Sequence, residues 1–341
     1  MTRANSRGWS LLELMVGLAI ASVVLTGAIS LLAHSRGLLD ANDSVSRLQD
    51  QARHALSVLV RDLEHAGSFG FGLDHRSLRI VRDGDPSLAI ASGDDLRQDA
   101  PPVPLPPSIH GCGANFAVDL SRAVEASNNR FAAGVDASRC DPTASAGGAM
   151  TGADTLTVRR ATEIASPMPG RLQLFSNRFT TRSGQVLFAD GRAPGTSADY
   201  EDTFDVVVRI YYVARSSVER AGWPALRAKT LTTIAGSPAF RDEEILPGVE
   251  DMQVQFGIAE AGTSGPVTRF VDPDAAELLT LAPRAVRIWL RIRAETTERG
   301  YRDDRTWRYA DAQFAPAASE QGIRRLLVSR TVTLRAPGSE P

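Results

Sequence analysis

Arg7-Gly8-Trp9-Ser10-Leu11-Leu12-Glu13-Leu14-Met15-Val16 opens an apolar run that continues to Ala33. A short basic leader ends in glycine, and a segment of membrane length follows at once, with one carboxylate near its head. Residues 14–33 carry no charged side chain. Twenty helical residues at about 1.5 Å each span about 30 Å, the thickness of a hydrocarbon core. A secretory signal has an apolar region of roughly 7–15 residues closed by an A-x-A-like site. This run is longer, and no such site ends it. Arg3 and Arg7 favour a cytoplasmic N-terminus with the bulk of the chain outside. The plain alternative is an uncleaved signal anchor. Glu13 speaks against it, because a charge on a lipid-facing helix is costly and points to a positive group on a neighbouring chain.

The chain has 341 residues and a formal net charge of −2. That length gives one large or two small domains beyond the anchor. The near-neutral balance makes no case for nucleic-acid binding. Cys112 and Cys140 are the two cysteines, and both fall in the part expected outside the cytoplasm. An even count in an oxidising compartment favours a disulfide closing a loop of roughly 28 residues; two separate buried thiols are the alternative.

No proline precedes Pro86, so the apolar helix has no early breaker. After His34-Ser35-Arg36 the pattern becomes one-faced. Val45, Leu48, Ala52, Leu56, Leu59 and Leu63 recur at spacings of three and four, while Arg47, Asp50, Arg53, Arg61 and Asp62 are expected on other faces. Gly67 is the expected terminator. One helix from about Trp9 to about Ala66 follows, its outer half packed on a globular head. Residues 84–153 are rich in Pro, Gly, Ser and Ala. Pro101–Pro107 reads as a stiff, extended surface loop, with a docking ligand as the alternative, and the Cys112–Cys140 stretch as a pinned insertion with one short helix, Phe116 to Ser127. Beyond Asp154 the pattern is period two. Leu156–Arg159, Phe204–Tyr212, Met252–Ile258, Val286–Arg293 and Leu326–Leu334 read as strands of an antiparallel sheet with one buried and one wetter face. Helix first and strands later gives an α+β fold.

The start of the chain resembles the type IV prepilin motif. In that family a dedicated peptidase cuts after the glycine, here Gly8, and N-methylates the new first residue, here Trp9. Most members carry Phe there; Trp9 is also large and aromatic. The resemblance gives Glu13 its partner, the α-amino group of a neighbouring subunit. Val45–Gln49, Val60–Gly67, Leu246–Gly257, Ala285–Leu290 and Thr331–Arg335 resemble PilW-type minor pilins, low-abundance proteins that prime pilus assembly. The resemblance implies a type IV pilin-like fold and no cofactor. It divides the chain into a leader at 1–8, a transmembrane half-helix at 9–35, an amphipathic half-helix at 36–66 and a periplasmic β-rich head at 67–341. It also implies an inner-membrane location, with the pilus tip as destination. The implied partners are other minor pilins, the major pilin, the prepilin peptidase, the inner-membrane assembly platform and membrane lipid.

Catalytic motifs are missing from the sequence. The five histidines show no H-E-x-x-H spacing, and Gly262 to Gly265 is not G-x-S-x-G. Asp272, Asp274 and Glu277 are the one set of carboxylates with a Ca²⁺-like density, without the regular spacing of an EF-hand loop. Two rival functions stand beside the minor pilin. A pseudopilin of a type II secretion system shares leader and helix, and the 246–257 stretch favours the pilus. A signal-anchored periplasmic enzyme or ligand-binding domain requires an uncut Gly8 and a concave polar site.

Overall fold

A computed structural model describes residues 10–70, 78–81, 89–105, 108–133, 140, 147–166, 168–176, 185–189, 202–260 and 265–334. Helix α1, Leu11–Glu64, is unbroken for 54 residues, about 81 Å. It joins the apolar segment to the head without a hinge, as the absence of proline requires.

Fifteen strands follow among the described residues. They are β1 (Arg79–Val81), β2 (Ala89–Ser92), β3 (Val124–Ser127), β4 (Thr155–Ala161), β5 (Gln173–Phe175), β6 (Val186–Phe188), β7 (Thr203–Ala214) and β8 (Ala225–Ile234). The second half holds β9 (Ser237–Pro247), β10 (Val249–Ile258), β11 (Arg269–Val271), β12 (Ala285–Thr297), β13 (Trp307–Tyr309), β14 (Ala312–Phe314) and β15 (Ile323–Thr333). One sheet runs β2-β1-β6-β5-β7-β4-β3, with β8 added to β7 and β9 to β8. A second runs β11-β10-β12-β15, and β13 pairs with β14 alone. Pairing is antiparallel except between β1 and β6.

Two cores result. The first lies between α1, the second sheet and one face of the first sheet. It holds Leu48, Ala52, Ala55, Leu59 and Leu63 of the helix with Leu156, Tyr211, Val254, Ile288 and Leu290. The second lies on the opposite face of β7, where Phe204, Val206, Val208 and Ile210 meet Ile109, Phe116, Val118 and the Cys112–Cys140 pair. Cys112 and Cys140 are bonded, with Cα atoms 4.2 Å apart. Strands β4 and β7 therefore have no wetter face, contrary to the alternation reading: the insertion covers them. The expected helix at Phe116 to Ser127 is also absent. Turns occupy 114–118 and β3 takes Val124–Ser127, because its backbone pairs with β4. Arg159, fully buried, holds the insertion down. Its guanidinium donates to the Phe116 carbonyl at 2.9 and 3.1 Å, to the Arg122 carbonyl at 2.7 Å and to Glu125 at 3.0 Å.

The two sheets are joined at one residue. β9 and β10 are separated only by Gly248, whose φ of +86° turns the chain from one sheet into the other. Its N–H donates to the Pro224 carbonyl at 2.7 Å, and its carbonyl accepts from Arg293 at 2.9 Å. A Cβ here would lie 3.2 Å from the Arg293 carbonyl oxygen. Only glycine adopts this conformation at no steric cost. Gly248→Ala is expected to destabilise the head by about 1–2 kcal/mol, read as a lower urea midpoint. Gly322→Ala, where a Cβ has 3.6 Å of clearance, serves as the near-neutral control.

Candidate functional site

The first turn of α1 is closed by its own side chains. Ser10 is the N-cap: its Oγ accepts the Glu13 N–H at 3.2 Å, and Glu13 Oε2 accepts the Ser10 N–H at 3.0 Å. This reciprocal pair answers two of the N–H groups that a helix start leaves open. Ser10 has no role in the sequence expectations, although Ser-x-x-Glu is the signature of this cap. Glu13 is thus already oriented at the helix N-terminus, and the cap occupies one carboxylate oxygen. Gly8 and Trp9 lie outside the described residues.

Behind the cap, Leu11–Leu32 is 22 residues long with a mean hydropathy of 2.3, and none of it is buried in the head. Such a helix is long and apolar enough to cross a membrane. Its hydroxyls bond within the helix: Ser22 to the Ala19 carbonyl and Thr26 to the Ser22 carbonyl, both at 2.8 Å. A continuous apolar surface of this size requires lipid or other helices around it.

The outer half of α1 anchors the head through a charge that the sequence placed on the surface. Asp62 is 1% exposed. Its Oδ1 accepts from Arg160 Nε at 3.0 Å, and its Oδ2 accepts from Arg209 Nη1 at 2.9 Å and from the Tyr211 hydroxyl at 2.5 Å. Burial, with the Asp62 charge beside it, keeps the Tyr211 phenol far above its usual range, so it stays a donor. Burial weakens the Arg209 charge, and the neighbouring Asp62 more than restores it. The neighbouring residues Arg159 and Arg160 thus serve opposite faces of β4, one holding the insertion and one holding the helix. The signal was in the spacing. Leu48, Ala52, Ala55, Leu59, Asp62 and Ala66 alternate by four and three, so Asp62 lies within the apolar stripe.

The remaining candidates disperse. Asp272 accepts from Gln255 at 3.1 Å, Asp274 from Asn128 at 3.3 Å, and Glu277 from Arg269 at 2.7 Å. Among the described residues no three His, Cys, Asp or Glu side chains stand together as a metal site. Asp154 instead ties loops: it accepts the N–H groups of Asn129 and Val254, both at 2.7 Å, and burial pushes its carboxyl up to about 7. On the outer face of the second sheet, Glu250 accepts from Arg291 at 3.0 Å and from Arg325 at 2.8 and 3.0 Å. Asp154 and Glu250 thus have backbone and cationic partners within the head.

The helix and its cap coincide with a known pattern. Residues 3–29 match the prokaryotic N-terminal methylation motif, and residues 210–336 match Type IV Pilus-assembly protein W. Residues 210–336 are thus similar to a PilW domain, and the start of the chain to a prepilin. The PilW match runs from within β7 past the end of β15, so it includes the Gly248 corner and strands β12 and β15, which pack on α1. The chain is also similar to a type IV-like pilin from Thermus thermophilus, at 13% identity and a TM-score of 0.33, over 84% of this chain and 96% of the other. No curated protein matches the sequence.

Proposed function

We propose that this chain is a minor pilin of the PilW type, working in type IV pilus assembly through helix packing and head contacts. The observation that carries the reading is one continuous helix: a methylation-motif start, an uncovered apolar segment, then a stripe and a buried carboxylate that lock it to a PilW domain. The peptidase cuts after Gly8, and Trp9 becomes the methylated first residue. The apolar half-helix holds the chain in the inner membrane with the head in the periplasm. There it meets other minor pilins, the major pilin and the assembly platform, in a priming complex at the fibre tip. Its work is association, with no catalytic step. The test is purification from detergent-solubilised membranes at native expression. Other pilins are expected in the same fraction. Recovery of the chain alone, or with secretion pseudopilins only, contradicts the reading.

A further inference from the structure

The head displays apolar side chains together at one end. Ile164, Met168 and Ile234 are 74%, 52% and 42% exposed. The first two lie between β4 and β5, and Ile234 ends β8 at its hairpin into β9. Gly170 brings the two turns side by side: with φ at +82°, a Cβ there would stand 2.9 Å from the Gly236 carbonyl oxygen. Glu163 Oε1 is 3.2 Å from Arg61 Nη2 and 3.8 Å from His65 Nε2. The two turns therefore form a crown around the end of α1 farthest from the apolar segment.

The crown is held rigidly. Asp205, itself buried, accepts the Met168 N–H at 3.0 Å, and buried Gln173 donates to the Met168 carbonyl at 2.9 Å. Thr162 donates its N–H to the Asp205 carbonyl at 2.9 Å and its hydroxyl to the Ile164 carbonyl at 3.0 Å. Two buried polar side chains thus fix the backbone of Met168 while its thioether stays in solvent. A preorganised loop presenting apolar groups binds with little ordering cost, and exposed apolar groups gathered in one patch mark an interaction surface.

The opposite end of the head has different chemistry. Tyr301 and Arg305 line a groove with Val45 and Leu48 of the helix. Residues 45 and 61 are about 24 Å apart along the axis. This underside exposes Arg299, Arg302, Asp304 and Arg305. On the crown, residues 162–170 and 233–236 contain one charge, Glu163, which Arg61 already holds.

We propose that the crown docks the membrane-proximal side of another pilin head, from a different chain with an uncharged, apolar underside. Charge selects the occupant. A second copy stacked end to end would press its exposed Arg299, Arg302 and Asp304 onto apolar side chains, removing them from water with no partner on the crown. The crown therefore favours a mixed stack and disfavours a homopolymer. The inference rests on the pilin reading above and adds to it a surface and a rule for what the surface accepts.

The test uses the full chain co-expressed with its partner pilins and purified in detergent. Ile164→Asp with Met168→Asp is expected to lower the recovery of partner pilins at least about tenfold, with the thermal transition unchanged because both side chains are exposed. Ile164→Leu with Met168→Leu is expected to retain recovery. Should the aspartate pair unfold the head, Ile164→Ser with Met168→Ser carries the same expectation. Recovery equal to wild type in the charged or serine pair overturns the proposal. So does a dimer of the wild-type chain alone that the charged pair abolishes, since the occupant is then a second copy. Wild-type chain that recovers no pilins at all counts against the pilin reading itself, which keeps the two failures distinct.

Discussion

Glu13→Ala is expected to insert, to be cut after Gly8, and then to drop out of the pilin assembly by at least about tenfold at matched protein level. Before cleavage the carboxylate lies near the end of the apolar segment, where hydration limits its cost. Packed among neighbouring helices it is desolvated and needs a cation or a proton. The proposed cleavage after Gly8 would supply the cation, an α-amino group on Trp9 of each chain. Only three residues separate Trp9 from Glu13 in the sequence, so a small axial offset between neighbours brings one chain's carboxylate to another's amine. The Ser10–Glu13 cap adds a discriminating control. Gln also serves at the third position of such a cap, so Glu13→Gln keeps the cap and loses the charge. It is expected to fail like Ala. Recovery of assembly by Gln assigns Glu13 to capping alone, and normal assembly of both variants removes it from the interface.

Asp62→Ala is expected to destabilise the helix–head junction by about 3–5 kcal/mol, because it strands Arg160 and takes an anchor from Arg209. Urea unfolding of the full chain in detergent reads this as a lowered midpoint. Asp62→Asn keeps the acceptor oxygen without the charge and falls between Ala and wild type. Replacing Asp62 and Arg160 together by leucine is expected to cost less than Asp62→Ala, since only Arg209, about a third exposed, then loses its carboxylate. Equal loss in the single and double variants contradicts a pairwise origin. Lower stability also lowers the amount of chain available for assembly, so Asp62 variants must be compared at matched level.

The helix was legible because its evidence is local. Twenty uncharged residues, the late first proline and a three-four stripe specify it without tertiary context. The strands β7, β10, β12 and β15 were legible for the same reason, their alternation surviving in sequence. β8 and β9 were not. Arg241-Asp242-Glu243-Glu244 in β9 looks like an exposed turn, yet Asp242 accepts from Arg227 at 2.9 Å and from the Tyr212 hydroxyl at 2.6 Å. Charges on a covered face hide a strand until their partners are known. Asp62 was misplaced in the same way: its cation Arg209 is 147 residues away in sequence. The insertion left little periodic trace, because beyond the four-residue strands β2 and β3 it is held by side chains. Buried Asn115 accepts the Val103 N–H and donates to the Arg97 and Pro101 carbonyls, drawing the proline-rich stretch inward. Val103 and Leu105 of that stretch are core residues, where a surface loop was expected.

The central claim is that this chain is processed and used as a pilin, and its N-terminus carries the record. Intact-mass measurement of the chain recovered with other pilins is the most direct test. The predicted species lacks residues 1–8 and begins at Trp9 with one added methyl group. Chain that enters the pilin fraction still carrying Met1 to Gly8 contradicts the account.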